Sequence, residues 1–349
     1  MTITEHEVRE IEAADRALSP ADRWGHLRKV PKVAAVLGVF VAAVVIFRLK
    51  FSGFLDQTNV NSILGSASID FLLGMGMTLT VISGGIDLSV SSTAVLAAVC
   101  GGEMTAHFGV AVGIIVCLVV GLVVGIVNGL LIARLRLNAF IVTLAGLVAY
   151  EGLARLILND STLVLTTTTF GSFFYAQIGP FSYISLLMLA VLVILSLVLH
   201  KTYFGRDIYA VGGNSHAARL SGIAVERVTV AVYAISGLCA GIASVLLIGF
   251  NSNSVDPTAL GGDELTVAAA VLLGGTALVG GSGGPFGTAI AIIFFYTIDK
   301  GLNLIGITAT YWQLIITGVL LLFAVLIDRA QLLIHRRRIT TLSISESEK

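Results

Sequence analysis

Ten apolar runs, each near the length of about 20 residues that a helix needs to cross a bilayer, decide what this chain can fold into. They are Val33–Phe47, Asn61–Ile82, Leu88–Thr105, Gly109–Ala133, Ala139–Leu158, Phe181–Leu199, Val228–Gly249, Leu265–Gly280, Phe286–Leu302 and Tyr311–Ile327. Charged residues make up 12% of the chain, against about 25% in a soluble domain. The expected fold is an all-α polytopic membrane protein with about ten transmembrane helices in a lipid bilayer.

Short cationic loops resist translocation, so the positions of Lys and Arg orient the chain. An even number of crossings puts both termini on one side. The N-terminal tail, the Arg134/Arg136 turn, the Lys201–Arg227 interval and the C-terminal end together hold 17 of the 21 Lys and Arg residues. Both termini are therefore expected in the cytoplasm. The domain reading is a cytoplasmic tail over 1–32, a transmembrane domain over 33–328 and a second cytoplasmic tail over 329–349. No cleavable signal peptide is expected ahead of the first apolar run. Net charge is zero, which gives no reason to expect a nucleic-acid partner.

The interval KTYFGRDIYAVGGNSHAARLSGIAVER, Lys201–Arg227, is the one long polar stretch between two apolar blocks. Its four cations place it on the cytoplasmic side, where a soluble partner can reach it.

An internal repeat accompanies the spans. GGIDLSVSS at Gly84–Ser92 and GGDELTVAA at Gly261–Ala269 share four identities, with Ser opposite Thr and acid opposite acid. A looser pairing sets Asn128–Leu147 against Lys300–Val319. The copies open spans three and eight, an odd offset, which means inverted topology of the kind common in transporters.

The same regions break the helical pattern. Leu272–Gly287, LLGGTALVGGSGGPFG, carries seven glycines and one proline. A glycine costs a helix interior about 1 kcal/mol relative to alanine, so a helix must end or be interrupted there. Backbone groups released at membrane depth must be buried in protein or face a wet cavity, which marks these breaks as pointers to a substrate path. Asp87, Ser91, Asn128, Gly274, Gly275 and Thr276 are the candidate path residues. The plainer reading has the glycines allow tight crossings and Asp87 cap the helix that starts at Leu88.

Asp70, Glu103, Glu151, Arg155, Asp299 and Lys300 fall within or near span ends, and most are read as interfacial or paired. Glu151 and Arg155 stand four apart, the spacing of an ion pair on one helix. The amides and hydroxyls of Asn128, Asn251, Ser252, Asn253, Ser254 and Gln313 are the groups a neutral solute such as a sugar would need. NSNSVDP at Asn251–Pro257 reads mainly as a plain hydrophilic outer loop. Six histidines and three cysteines are scattered without metal-ligand spacing, so neither a metal nor a cofactor is expected. No phosphate-binding G-x-x-x-x-G-K-[ST] loop and no catalytic constellation occurs, so the motifs give no argument for an enzyme or for ATP held in that way by the chain itself.

Four ordered segments carry a family resemblance: Gly76–Ser92 (GMTLTVISGGIDLSVSS), Val127–Leu147 (VNGLLIARLRLNAFIVTLAGL), Phe204–Ile223 (FGRDIYAVGGNSHAARLSGI) and Ala268–Thr288 (AAAVLLGGTALVGGSGGPFGT). Together they closely resemble the ribose-type sugar permeases of bacterial ABC importers, over roughly residues 54–328. The resemblance implies a subunit of the bacterial cytoplasmic membrane with ten helices that pairs with a second permease copy, identical or paralogous. It also implies a cytoplasmic ABC ATPase, an extracytoplasmic solute-binding protein, a monosaccharide substrate and alternating access. His216, Ala217, Ala218, Arg219 and Gly222 resemble the EAA-x3-G segment by which importer permeases dock on their ATPase, with Arg206 in the same interval. His216 stands where the family pattern has Glu. The alternatives are a secondary active transporter, or an ABC permease for a nucleoside or a branched-chain amino acid.

Overall fold

The computed structural model describes residues 32–306 together with Ile315, Gly318, Val319 and Leu322. Most of the span Tyr311–Ile327, including Gln313, half of Lys300–Val319 in the looser repeat, and the tails at 1–31 and 329–349 lie outside the described residues.

The described chain is helical apart from four two-residue strands. In order, the elements are α1 (Lys32–Lys50), α2 (Gln57–Ile82), α3 (Val90–Phe108), α4 (Val110–Ala133), α5 (Ala139–Leu158), β1 (Leu163–Val164), α6 (Thr169–Tyr175), β2 (Gln177–Ile178) and β3 (Phe181–Ser182). They continue with α7 (Tyr183–Lys201), α8 (Tyr203–Gly213), α9 (Ser215–Leu220), α10 (Val225–Phe250), β4 (Ser254–Val255), α11 (Asp263–Leu273) and α12 (Pro285–Leu304). Eight of the ten predicted spans appear as helices within a few residues of the expected bounds, and a ninth appears cut short. Five helices (α2, α4, α5, α7 and α10) are long and apolar enough to cross a membrane, among the described residues. The chain is a multi-pass membrane protein.

One expected span is shorter than its apolar run. Leu265–Gly280 yields only the 11-residue α11. At 1.5 Å per residue it covers about 16 Å, half of a hydrocarbon core of about 30 Å. Beyond Leu273 the residues stay apolar while the backbone turns away.

Helix α2 lies at the centre, and every residue from Ala67 to Ile82 is buried. Helices α10, α12, α7 and α11 pack around it. A helix that is apolar on all sides belongs in a protein interior or in lipid, and α2 is in the interior. The closest helix pair is α4 with α10, whose backbones meet at Gly121 and Gly125 on one side and Gly237 and Gly241 on the other. A Cβ at Gly121 or Gly237 would stand 2.3 or 2.2 Å from the other residue's carbonyl oxygen. Small residues four apart allow this approach, which hydrocarbon solvent favours because packing rather than water release drives helices together. The opposite face of α4 exposes Ile115, Val119, Val123 and Val127, an apolar stripe suited to lipid or to another membrane surface.

At one end of the bundle β1 pairs with β4 antiparallel. Asn253 reaches across as well, its Oδ1 accepting from the Gly171 N–H at 2.8 Å and its carbonyl accepting from Leu165 N–H at 2.9 Å. The segment Asn251–Pro257 is thus a structured junction and not the plain loop expected. Ser252 and Asn253 hold the left-handed conformation that this turn requires.

Candidate functional site: two helix breaks and the helices beneath them

Helix α2 ends by design of its sequence. Gly84, at φ +89°, follows the last turn, and the N–H groups of Gly84 and Gly85 donate to the carbonyls of Val81 and Thr80. This is a Schellman ending, which uses a left-handed glycine to satisfy carbonyls that the helix leaves free. Helix α11 ends in the same way: Gly275 is at φ +92°, and Gly275 and Thr276 donate to Leu272 and Val271.

The first break, Ser83–Ser89, is held by side chains. Asp87 is 3% exposed and accepts from Ser89 N–H at 3.1 Å, Ser89 Oγ at 2.6 Å and Ser236 Oγ of α10 at 2.9 Å. Asn128 of α4 donates through Nδ2 to Ser89 Oγ at 2.9 Å, and Tyr150 of α5 donates to Asn128 Oδ1 at 2.7 Å. The hydroxyls of Tyr233 and Thr143 both reach the Ile86 carbonyl, each at 3.2 Å. Asp87 does not cap a helix starting at Leu88: α3 begins at Val90, with Ser89 at the cap position. Its carboxylate faces α10 because Ser236 and Ser89 supply hydroxyl donors there.

Ser91, one turn into α3, donates to Glu264 Oε2 at 2.6 Å. Glu264 sits in the first turn of α11, so the N-termini of two short helices meet at this bond. Acids near helix N-termini are stabilised by the unpaired N–H groups there. A small cavity of about 60 Å³ opens beside the pair, lined by Ser91, Ser92, Glu151, Thr258 and Glu264. The carboxylate of Glu151 is held by Arg155, with Nη2 at 2.7 Å, as the four-residue spacing predicts.

The second break, Gly274–Gly284, is held almost wholly by backbone. Ala277 N–H donates to Ser282, Gly280 N–H to Ala277, and Gly281 N–H to Ile82 at the end of α2, at 2.8 Å. Thr276 is 1% exposed, and its Oγ1 finds no partner among the described residues. Two groups of candidate path residues therefore separate: Asp87, Ser91 and Asn128 gather at the start of α3, whereas Gly274, Gly275 and Thr276 sit at the end of α11.

Helix α8 lies under both breaks. Its Gly212 is so close that a Cβ would stand 1.8 Å from the Ile82 carbonyl oxygen and 2.7 Å from Gly281 N. Tyr209 donates to the Gly283 carbonyl at 2.8 Å. Arg206, on the other side of α8, is exposed and lies over the Tyr203 ring at 4.2 Å. Asn214 caps α9 by accepting from Ala217 N–H at 2.9 Å. Helix α9 then closes on Gly222 at φ +86°, with Gly222 and Ile223 donating to Arg219 and Ala218. His216, Ala217 and Arg219 are exposed and Ala218 is buried. The Ala-Ala-x3-Gly spacing is thus a short helix with a glycine stop that presents one face to solvent.

One expectation about charge is overturned. Asp70 is not interfacial but lies mid-way along α2 at 1% exposure, with Tyr296 donating to Oδ2 at 3.0 Å. Its partner comes from α12, far along the chain. Sequence reasoning also missed Ser89, Tyr150, Ser236, Tyr209 and Gly212 as parts of this region. Glu264 could have been found, since the repeat sets it opposite Asp87.

Comparison with known proteins decides the family. The family model described as branched-chain amino acid transport system / permease component matches residues 59–325. The chain belongs to this permease family. The ribose import permease protein RbsC of Bacillus subtilis is 38% identical over 302 residues, covering 85% of this permease and 92% of the relative. RbsC of Escherichia coli is 35% identical over 284 residues, covering 79% and 87%. The L-arabinose ABC transporter permease protein AraH of Azospirillum brasilense is 31% identical over 316 residues, covering 90% and 93%. No solved structure matches the permease. The resemblance drawn from the four motifs is borne out, and the permease is a transport subunit of the ABC-importer type.

Proposed function

We propose that this permease forms the membrane path of an ATP-driven importer for a monosaccharide, a pentose such as ribose or arabinose or a related hexose or polyol. The relatives named for ribose and arabinose import support that substrate class. The proposed assembly pairs two permease copies with a cytoplasmic ABC ATPase and an extracytoplasmic solute-binding protein in the bacterial cytoplasmic membrane. Each subunit has ten helices in two inverted halves, with both termini in the cytoplasm. The Ser91–Glu264 contact between repeat-related segments supports the inverted reading.

The observation that carries the mechanism is the fit of Gly212 against Ile82 and Gly281. Helices α8 and α9 present Arg206, His216, Ala217, Arg219 and Gly222 outward, with Ala218 packed behind them, as the surface for the ATPase. Closure of the ATPase halves moves these helices, and Gly212, bearing on the end of α2, passes the motion to Gly281 in the break that follows α11. The path past Asp87, Ser91, Asn128, Gly274, Gly275 and Thr276 then exchanges outward for inward exposure. A partner shifts such an equilibrium only by binding one state better than the other.

The test is uptake of labelled monosaccharide into proteoliposomes holding the permease, ATPase and binding protein. Uptake is expected to need ATP, and Ala218→Glu is expected to abolish it while membrane insertion persists. Uptake that ignores ATP but collapses with an ionophore would contradict the proposal in favour of a secondary transporter. A binding protein that takes a branched-chain amino acid or a nucleoside would replace the substrate class alone.

A further inference from the structure

A second and larger cavity lies at the end of the bundle opposite α8 and α9, between the start of α2, α6, the start of α7 and the end of α10. It encloses about 300 Å³ and shares no lining residue with the cavity beside Ser91. Small-molecule sites start at about 300 Å³, so this cavity has room for a whole monosaccharide, whereas the cavity beside Ser91, at about 60 Å³, has room only for water-sized molecules.

Its lining is chemically specific. Asn61, Ser66 and Gln177 bring amides and a hydroxyl, and Phe174, Tyr175 and Phe250 bring aromatic surface. Asn61 Nδ2 is buried and has no acceptor among the described residues. A buried donor without an acceptor is unfavourable, and a ligand oxygen would relieve it. The lining holds no carboxylate. The nearby cation, Lys300, is already spent on Ser62 Oγ at 3.1 Å. The T-shaped contacts of Phe174 with Tyr175 and Phe250, with centroids at 5.1 and 5.6 Å, keep the aromatic wall in place.

We infer that this cavity binds an uncharged polyhydroxyl molecule of monosaccharide size, held by the Asn61 amide and stacked through its C–H face on the Tyr175–Phe250 wall. Each sugar hydroxyl is both donor and acceptor, matching amides and hydroxyls that carry no net charge. Aromatic faces complement the apolar C–H side of the ring. The site is a capture station apart from the helix breaks, and its occupancy needs neither ATP nor movement of α8.

The test is equilibrium dialysis of radiolabelled D-ribose, L-arabinose and D-galactose against the full-length permease with its ATPase in lipid nanodiscs, without nucleotide and without binding protein. Saturable binding of at least one sugar is expected. Tyr175→Ala, at an exposed position that folding tolerates, and Asn61→Leu should each weaken it about tenfold, the loss of one good contact. Ser91→Ala should leave it unchanged. The inference is overturned by no saturable binding of any of the three sugars, or by binding indifferent to both cavity substitutions. Loss with Ser91→Ala instead would overturn it too, as would a co-purified lipid filling the cavity that sugar does not displace. Because no nucleotide is present, these outcomes stay separate from failure of ATP-driven uptake.

Discussion

The two helix breaks end α2 and α11 with the same backbone turn, yet they are secured by different means. The break at Ser83–Ser89 is clamped by five polar side chains drawn from three other helices around Asp87 and Ile86. The break at Gly274–Gly284 has backbone bonds, four glycines in the left-handed region and one orphaned hydroxyl. A side-chain clamp fixes one geometry, since each buried group depends on the others for its partner. A glycine-rich turn has more than one accessible backbone path. In the proposed mechanism this contrast would make the first break part of the frame and the second the moving part, with α8 touching both.

The largest expected effect tests the clamp. Asp87→Ala strips acceptors from Ser89 and Ser236, at about 1–3 kcal/mol for each buried donor left alone. A marked fall in melting temperature by fluorescence-detected size exclusion is expected, largely restored by Asp87→Asn. An unchanged melting point would mean that the clamp is not what holds the break.

A smaller stability effect with a larger functional one is expected at Gly281→Ala. The residue sits at φ +72°, and a Cβ would lie 2.7 Å from Gly213 Cα. Left-handed backbone costs a non-glycine residue about 1–2 kcal/mol. Folded protein should survive, with ATP hydrolysis continuing while uptake is lost. Normal uptake would free the second break of any moving role.

The smallest stability effect belongs to Thr276→Val. Its hydroxyl has no partner among the described residues, so removal should change stability by no more than about 0.5 kcal/mol. The KM for sugar should rise, because the substitution removes a hydroxyl that is left unbonded for the substrate to meet. A large loss of stability would mean a bond in the resting state, and an unchanged KM would remove Thr276 from the path.

Much of the frame was legible because hydrocarbon solvent imposes length on every crossing. The bounds of α5 were read to the residue, and those of α4 and α12 nearly so, since Gly109, Asn138 and Pro285 mark where those helices start. The shortness of α11 was not legible. Ala277, Leu278 and Val279 keep the segment apolar after the chain has turned at Gly275, and hydropathy reports side chains and not backbone direction. The Asp87 network was half legible. Asp87, Ser91 and Asn128 stood out as polar groups in apolar runs, but Ser236 lies 149 residues from Asp87 and Tyr150 carries no spacing signal. Asp70 was misplaced because its hydrogen-bond donor is Tyr296, 226 residues away.

The central claim is that α8 drives the second break. The most direct measurement is uptake and ATP hydrolysis by the reconstituted transporter carrying Tyr209→Phe, which removes the side-chain bond from α8 to the Gly283 carbonyl. The account predicts that uptake falls while ATP hydrolysis continues. Undiminished uptake by Tyr209→Phe would contradict it.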